Sequence, residues 1–200
     1  AYDHLAAGVP QTETVTYGVT DGTATTPTTV SFTIAGTNDA PEITAQMASA
    51  SEGGVAVTVN ALATATDVDT GDTLTVMNVP GSLPAGVTFN AGTSKFTLDP
   101  TDPAYDSLAA GVTQTVSVSY DVSDGMATTP TTTVSFTITG TNDTPEVTAQ
   151  TASATEGGAV VTLHALTTAT DVDIGDTLAV TNVSMSLPAG MTFNAQANEF

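Results

Sequence analysis

The sequence predicts an all-β chain of tandem Greek-key β-sandwiches, each of about 104 residues, from three observations. Apolar residues alternate with small or polar ones over many short runs, the period of half-buried antiparallel strands. Gly, Pro, Asn and Asp clusters separate those runs as turns do. Long stretches also occur twice. AYDHLAAGV at 1–9 returns as AYDSLAAGV at 104–112, GTNDAPEITAQ at 36–46 as GTNDTPEVTAQ at 140–150, and ATDVDTGDTL at 65–74 as ATDVDIGDTL at 169–178.

The natural boundaries of the repeat are the Pro-containing linkers at 38–41 and 142–145. Residues 1–37 then read as the C-terminal part of one repeat, 42–141 as a complete repeat, and 146–200 as the N-terminal part of a third. In the complete repeat strands are expected near 42–47, 54–63, 73–79, 86–90, 94–98, 114–122 and 132–140. Val55, Val57 and Val59 alternate with small or polar neighbours, as do Val116, Val118, Tyr120 and Val122, and Val134, Phe136 and Ile138. Thr fills most outward positions, which suits a β-branched side chain on a pleated face. The turns fall at Gly53-Gly54, Thr70-Gly71-Asp72, Pro80-Gly81, Pro84 and Asp124-Gly125. Seven strands in about 100 residues imply an immunoglobulin-like sandwich. Residues 103–110 are the one helical candidate, a turn or two at a strand crossover. Tyr105 and Leu108 are expected to plug the end of the core.

Composition narrows the function. There are 21 acidic residues against one Lys+Arg, two His and no Cys, for a net charge of −20 with only 11% charged residues. A polyanion of this kind does not hold a phosphate backbone, so nucleic acid is excluded as a partner. Attraction to an anionic membrane surface is excluded for the same reason. No apolar run approaches the roughly 18 residues of a spanning helix, so no membrane insertion is expected in this segment. Without Cys there is no disulfide and no thiolate chemistry. A folded, acidic, secreted or surface protein that meets cations fits what is left.

Nearly all the acids of the complete repeat lie in expected loops and linkers, not on the outward strand positions where solubility alone would scatter them. They gather as Asp67-x-Asp69-x-x-Asp72, as Asp99-x-x-Asp102-x-x-x-Asp106 and as Asn142-Asp143. Like charges so close repel unless a cation neutralises them. Oxygen ligands in flexible loops, with no His or Cys nearby, favour calcium over zinc or copper. The competing reading is a set of solvated acidic loops in a salt-adapted protein, but recurrence of the clusters at loop positions favours the cation.

Other candidates fall away. His4 and His164 match Ser107 and Asn60 in the sister copy, whereas a required ligand or base would stand in both. No His–acid partner recurs to activate a Ser or Thr. Paired carboxylates for glycoside hydrolysis need a cleft with aromatic platforms, and the chain has no Trp and 5% aromatics. Two triplets, at Asn142 and Asn182, match the glycosylation pattern that chance often produces. No enzymatic activity is expected.

The order NDAPE, SEGG, ATDVDTGD, FTLDP, a strand ending in SDG, then GTNDTPE resembles the bacterial cadherin-like repeats of giant type I-secreted adhesins. It is similar, more distantly, to cadherin extracellular domains. The resemblance covers the whole chain and implies calcium ions at each junction between repeats. For the junction after the complete repeat it implies Glu52 and Asp99 from the upstream domain, Asn142 and Asp143 from the linker, and Asp171 and Asp173 from the downstream loop. For the preceding junction it implies Asn38, Asp39, Asp67, Asp69 and Asp124. Asp72 and Asp102 join these as neighbours within their clusters. Glu156 and Asp176 join as the copies of Glu52 and Asp72. Two departures stand out. Gly-Thr and Ala or Thr flank the Asn-Asp pair, and the motif after Leu98-Asp99 lacks a Glu two residues on, leaving Asp102 or Asp106 as substitutes.

The function expected on these grounds is structural: a calcium-stiffened length of a bacterial cell-surface adhesin or extracellular fibre, acting as rod or extender. Its expected partners are neighbouring repeats or copies of itself, head to tail in an open filament. Residues 146–200 of one copy are expected to complete a domain with residues 1–37 of a neighbouring one, either within one continuous repetitive polypeptide, which the short gap fits best, or by strand complementation between subunits. The alternative is a module that binds sugar or ice through a Thr-rich sheet face.

Overall fold

The computed structural model describes residues 1–200. Its regular structure is eleven strands and no helix. Seven strands lie in 42–141: β3 (Gln46–Ser51), β4 (Val57–Asn60), β5 (Thr75–Met77), β6 (Val87–Asn90), β7 (Lys95–Leu98), β8 (Thr113–Ser123) and β9 (Thr132–Thr139). They form a four-stranded sheet, β3-β9-β8-β5, and a three-stranded sheet, β4-β7-β6. β9 returns to lie between β3 and β8, which is the Greek-key crossing. Val76 stands opposite Val122, Val57 opposite Leu98, and Phe89 opposite Phe96, all in antiparallel pairs.

Alternation along β8 and β9 turns Val118, Tyr120, Val122, Val134, Phe136 and Ile138 inward, where they are buried with Phe96 and Leu98. Phe96 packs on Tyr120 at a centroid separation of 5.3 Å and on Phe89 at 4.6 Å. The buried Tyr120 hydroxyl is not left unpaired: it donates to Ala61 O at 2.9 Å, and Gln46 Nε2 reaches it at 3.4 Å. On the outward face hydroxyls pair across strands, Thr115 with Thr137 at 3.1 Å, Ser117 with Ser135 at 2.7 Å and Thr58 with Thr97 at 3.0 Å.

Four local expectations are corrected. The first strand lies at Gln46–Ser51, not 42–47, and Glu42 makes only an isolated bridge with Thr66. The strand expected at 54–63 is confined to Val57–Asn60, because Asn60 Oδ1 accepts Leu62 N at 3.0 Å and turns the chain; Val55 is exposed. The strand expected at 73–79 stops at Met77, where Asn78 takes φ 56° and donates to Asp121 Oδ2 at 2.7 Å. Residues 103–110 form successive turns instead of a helix. Tyr105 N bonds Asp102 O at 3.0 Å, Leu108 N bonds Tyr105 O at 3.0 Å, and no ladder continues them. Tyr105 is fully buried.

By contacts the chain falls into two compact units, each including one linker. The first is Ala1–Ser49, Ala56–Asp99 and Thr115–Thr137. Besides most of the two sheets it holds a hairpin of β1 (Pro10–Thr20) and β2 (Thr25–Ala35), with Val15 opposite Val30. The second is Ala50–Val55, Pro100–Gln114 and Ile138–Phe200. Here β10 (Glu146–Val147) pairs with β11 (Ala169–Thr170), Leu163 and Phe200 exchange backbone bonds of 3.0 Å, and Phe193 stacks near Phe200 at 4.8 Å. That aromatic pair repeats Phe89–Phe96, so 146–200 keeps the local framework of the complete repeat.

In each unit a glycine allows two segments to approach closely. In the first, Gly8 N bonds Gly36 O at 3.0 Å and Gly36 N bonds Val9 O at 2.9 Å; in the second, Gly111 and Gly140 do the same at 3.0 Å, and Gly140 N bonds Val112 O at 2.7 Å. A Cβ on Gly36 or Gly140 would stand 2.1 Å from the carbonyl oxygen of Leu5 or Leu108. The AYDxLAAG turn therefore lies directly on the chain just before each linker.

Candidate metal centres

Each centre begins with a loop that folds on its own acids. Asp67 Oδ1 accepts Asp69 N at 2.9 Å, and Asp171 Oδ1 accepts Asp173 N at 3.0 Å, the turn that Asp forms with the backbone two residues on. Gly71 and Gly175, at φ 100° and 99°, then let the chain swing back to present a third acid. The result is two carboxylate trios, Asp67–Asp69–Asp72 and Asp171–Asp173–Asp176, each with one oxygen per residue within 4.8 Å of the others.

The linkers close onto these loops in the same way. In the first unit Asp39 N donates to Asp69 Oδ2 at 2.8 Å. Asn38 Nδ2 donates to Asp39 O at 2.6 Å and to Asp124 Oδ2 at 2.9 Å. In the second unit Asp143 N donates to Asp173 Oδ2 at 2.9 Å and Asn142 Nδ2 bonds Asp143 O. Glu52 is bonded just before this linker: Oε2 accepts Thr141 N at 2.9 Å, and Glu52 N donates to Thr139 O at 2.9 Å. The preceding turn also reaches each loop through its backbone. Thr70 N bonds His4 O, and Ile174 N bonds Ser107 O, both at 3.1 Å. The contact uses a carbonyl, which is why His and Ser can exchange at that position.

The electrostatics of the first centre follow from this geometry. Burial, then the charges of Asp67, Asp69 and Asp124, raise the Asp72 pKa above its ordinary value. The amide of Ala127, then the Asn38 side chain and the amide of Met126, hold Asp124 below it. Three carboxylate oxygens of the two trios, Asp67 Oδ2, Asp69 Oδ1 and Asp173 Oδ1, are buried with no hydrogen-bond partner, as is Glu52 Oε1. Asp69 and Asp173 are 4% exposed and Glu52 7%. A buried anionic oxygen without a donor is costly, and these point to a cation as the missing partner. The donors are all oxygen, and a 4.8 Å spread spans an ion whose ligands lie at about 2.3–2.6 Å, the calcium range. The residues present fit a calcium ion.

The structure thus brings together Asn38, Asp39, Asp67, Asp69, Asp72 and Asp124 in one unit. In the other it brings together Asn142, Asp143, Asp171, Asp173 and Asp176, with Glu52 tied to the residue before the linker. Asp99, Asp102 and Glu156 stand outside both trios. Asp99 N bonds Gly86 O at 2.8 Å, and Asp102 Oδ1 accepts Ala104 N at 3.0 Å. Glu156 lies in an exposed turn closed by Gly158 N on Thr155 O. Sequence reasoning overlooked Asp121, whose partner Asn78 is far away in sequence; that pair and the Thr131 side chain hold its pKa down.

An all-β Greek-key sandwich with acidic loops closing on the segments that precede it is the architecture of a cadherin-like β-domain. The cadherin-like domain family matches residues 37–139, a little over half of the chain, and the chain belongs to that family. No curated protein matches the sequence. Among solved structures it is similar to human CDH23 EC21-23, at 19% identity and a TM-score of 0.53, covering 94% of this chain and 65% of that one. Protocadherin Gamma B7 extracellular cadherin domains 1-4 match at 17% identity and a TM-score of 0.32, over 64% of this chain and 32% of that one. BT4661, a SusE-like surface-located polysaccharide-binding protein of Bacteroides thetaiotaomicron, matches at 13% identity and a TM-score of 0.32, over 55% and 17%. The chain spans less than two thirds of each of these. The CDH23 likeness shows the fold.

Proposed function

We propose that this chain is a length of a structural extracellular repeat array, with calcium bound at the junctions between successive repeats and stiffening them. The observation that carries the reading is the pair of equivalent centres. Each ties a linker amide to a D-x-D carboxylate, and each keeps buried carboxylate oxygens unpartnered. In this reading the repeats are 1–37, 42–141 and 146–200, joined at 38–41 and 142–145. One ion site draws on Asn38, Asp39, Asp67, Asp69, Asp72 and Asp124. The other draws on Glu52, Asp102, Asn142, Asp143, Asp171, Asp173 and Asp176.

When bound, calcium supplies the positive charge that lets these carboxylates stay close. The chain's own groups fix where it sits: the Asp39 and Asp143 amides aim one oxygen of Asp69 and Asp173, leaving the other for the ion. The role is mechanical, as the rod or extender of a bacterial surface adhesin, with further repeats or copies joined head to tail. A sugar- or ice-binding sheet face is disfavoured, because the outward hydroxyls of β8 and β9 are paired with each other.

The test is calorimetry with and without chelator. Ligand bound by the folded state alone stabilises it by mass action. EDTA should lower Tm markedly, and calcium should restore it far better than magnesium, which demands stricter octahedral geometry. Identical melting in EDTA and calcium would overturn the reading.

A further inference from the structure

β5 is an edge of the four-stranded sheet of the complete repeat, and little of its own holds it there. It pairs with β8 over three residues, and of these only Val76 turns inward, half-buried. So short an edge strand offers few backbone bonds and little apolar area to keep it on the sheet. Side chains add to both ends. Thr75 Oγ1 donates to Ser123 O at 3.2 Å. Past Met77 the chain turns at Asn78, whose Nδ2 donates to Asp121 Oδ2 at 2.7 Å. The turn itself is a local property of the sequence, since Asn182, the copy of Asn78, takes φ 55° against 56°. The bond to Asp121 is what ties it to β8.

Asp121 is the only charged residue in the four strands of this sheet. Its carboxylate is turned to Asn78 and to the Thr131 hydroxyl, which also bonds it, while Oδ1 is buried without a partner. A carboxylate kept for solubility would give both oxygens to water, because burying one unpaired is costly.

The register of β8 with β9 shifts by one residue at this place. From the hydroxyl pair Ser117–Ser135, steps of two residues lead to Asp121 opposite Thr131 and then to Ser123 opposite Thr129, yet Ser123 bridges Thr128. One residue on the β9 side is therefore extra, a β-bulge, the device that re-aims a side chain at a sheet. The hairpin β1–β2 has no such shift: its pairing runs unbroken from Pro10 opposite Ala35 to Thr20 opposite Thr25. There Gly18 stands in the place of Asp121, and Pro27 is followed by two Thr where Pro130 is followed by three. The acid, the extra threonine and the bulge are present together in one hairpin and absent together from the other.

We propose that Asp121, with the threonine that the bulge sets against it, is a latch that holds the edge strand β5 on the sheet by its Asn78 end. The latch lies within the complete repeat and acts whether or not the acidic loops hold calcium.

Hydrogen exchange of the 200-residue chain, followed residue by residue by NMR, tests it. Asp121→Ala should lower the protection of the β5 amides by about tenfold or more, as loss of a hydrogen bond to a charged group does. Protection of β7 and β9 should stay as in the parent. Asn78→Gly keeps the left-handed backbone, removes only the side-chain donor, and should give the same local loss. The two substitutions together should lose no more than either alone, because both break one bond. Thr131→Val should give a smaller loss at the same amides, and none in the Asp121→Ala background. Unchanged β5 protection in Asp121→Ala, or losses that add in the double variant, overturns the latch. So does a loss spread equally over β7 and β9, which would make Asp121 a support of the whole sandwich. Unchanged protection in Thr131→Val overturns the part given to the bulge.

Discussion

The amide of Asp143 donates to Asp173 Oδ2 at 2.9 Å, and the other carboxylate oxygen of Asp173 is buried without a partner. Asp39 and Asp69 repeat the relationship at 2.8 Å. One bond thus ties each Asn-Asp segment to the D-x-D loop thirty residues on, and it leaves one carboxylate oxygen of that loop buried without a donor.

That orphaned oxygen makes the effect of Asp173→Asn depend on calcium. In EDTA the variant removes a buried unpaired charge while its amide oxygen still accepts the Asp143 amide. It should match or exceed the parent in stability, by up to about 1–3 kcal/mol. In calcium the same variant loses a ligand and should melt below the parent. Calorimetry in the two buffers checks the reversal, and a variant less stable in both would contradict it.

Junction and core should separate in a second pair of variants. Asp173→Ala, in a loop, is expected to leave the central sandwich folded while broadening the spread of interdomain distances measured by FRET across the second linker. Val118→Asp buries a charge at a position only 2% exposed and should unfold the sandwich, costing more than about 3 kcal/mol. Circular dichroism melting distinguishes them.

Gly140→Ala should destabilise although it adds only a methyl group. Its Cβ would meet the backbone oxygen of Leu108 at 2.1 Å, and a carbonyl held by the AYDSLAAG turn cannot retreat as a flexible side chain would. A loss of roughly 2 kcal/mol or more is expected in chemical denaturation. Gly111→Ala has open space around it but needs φ 80°, so its cost should come from backbone strain and be smaller.

The pH dependence has a definite sign. Asp72 has its folded pKa raised, so its contribution to the calcium-free protein is favourable when protonated. That contribution is present below the unfolded value of about 3.9 and is lost as pH rises through the folded pKa. Asp72→Asn should therefore stabilise the calcium-free protein at neutral pH, with the advantage vanishing by about pH 3. Asp124, with its pKa held down, works in the opposite sense: its contribution is present above its ordinary value and is lost as pH falls through the folded one. Denaturation of Asp72→Asn and parent across pH in EDTA checks the first, and an advantage that grows with acid would contradict it.

The all-β character, six of the seven strands of 42–141 and the D-x-D clusters were legible in the sequence, because strand periodicity and the local bonding of Asp to its own loop are short-range properties. Gln46–Ser51 escaped for a short-range reason too: its half-buried positions are Gln46, Ala48 and Ala50, which carry no hydrophobic signal, so that strand exists through pairing with β9. Residues 103–110 spell a helix of suitable propensity, yet the carbonyls of that segment are committed to single turns and to the approach of Gly140. What only the tertiary structure decided is which acids meet. Asp39 and Asp69 are thirty residues apart, as are Asp143 and Asp173, and Glu52 reaches Thr141 across eighty-nine. No spacing rule links such positions. Asp39 meets Asp69 because Glu42 bridges Thr66, Asp143 meets Asp173 because β10 pairs with β11, and Glu52 reaches Thr141 because the Greek-key crossing returns β9 beside β3.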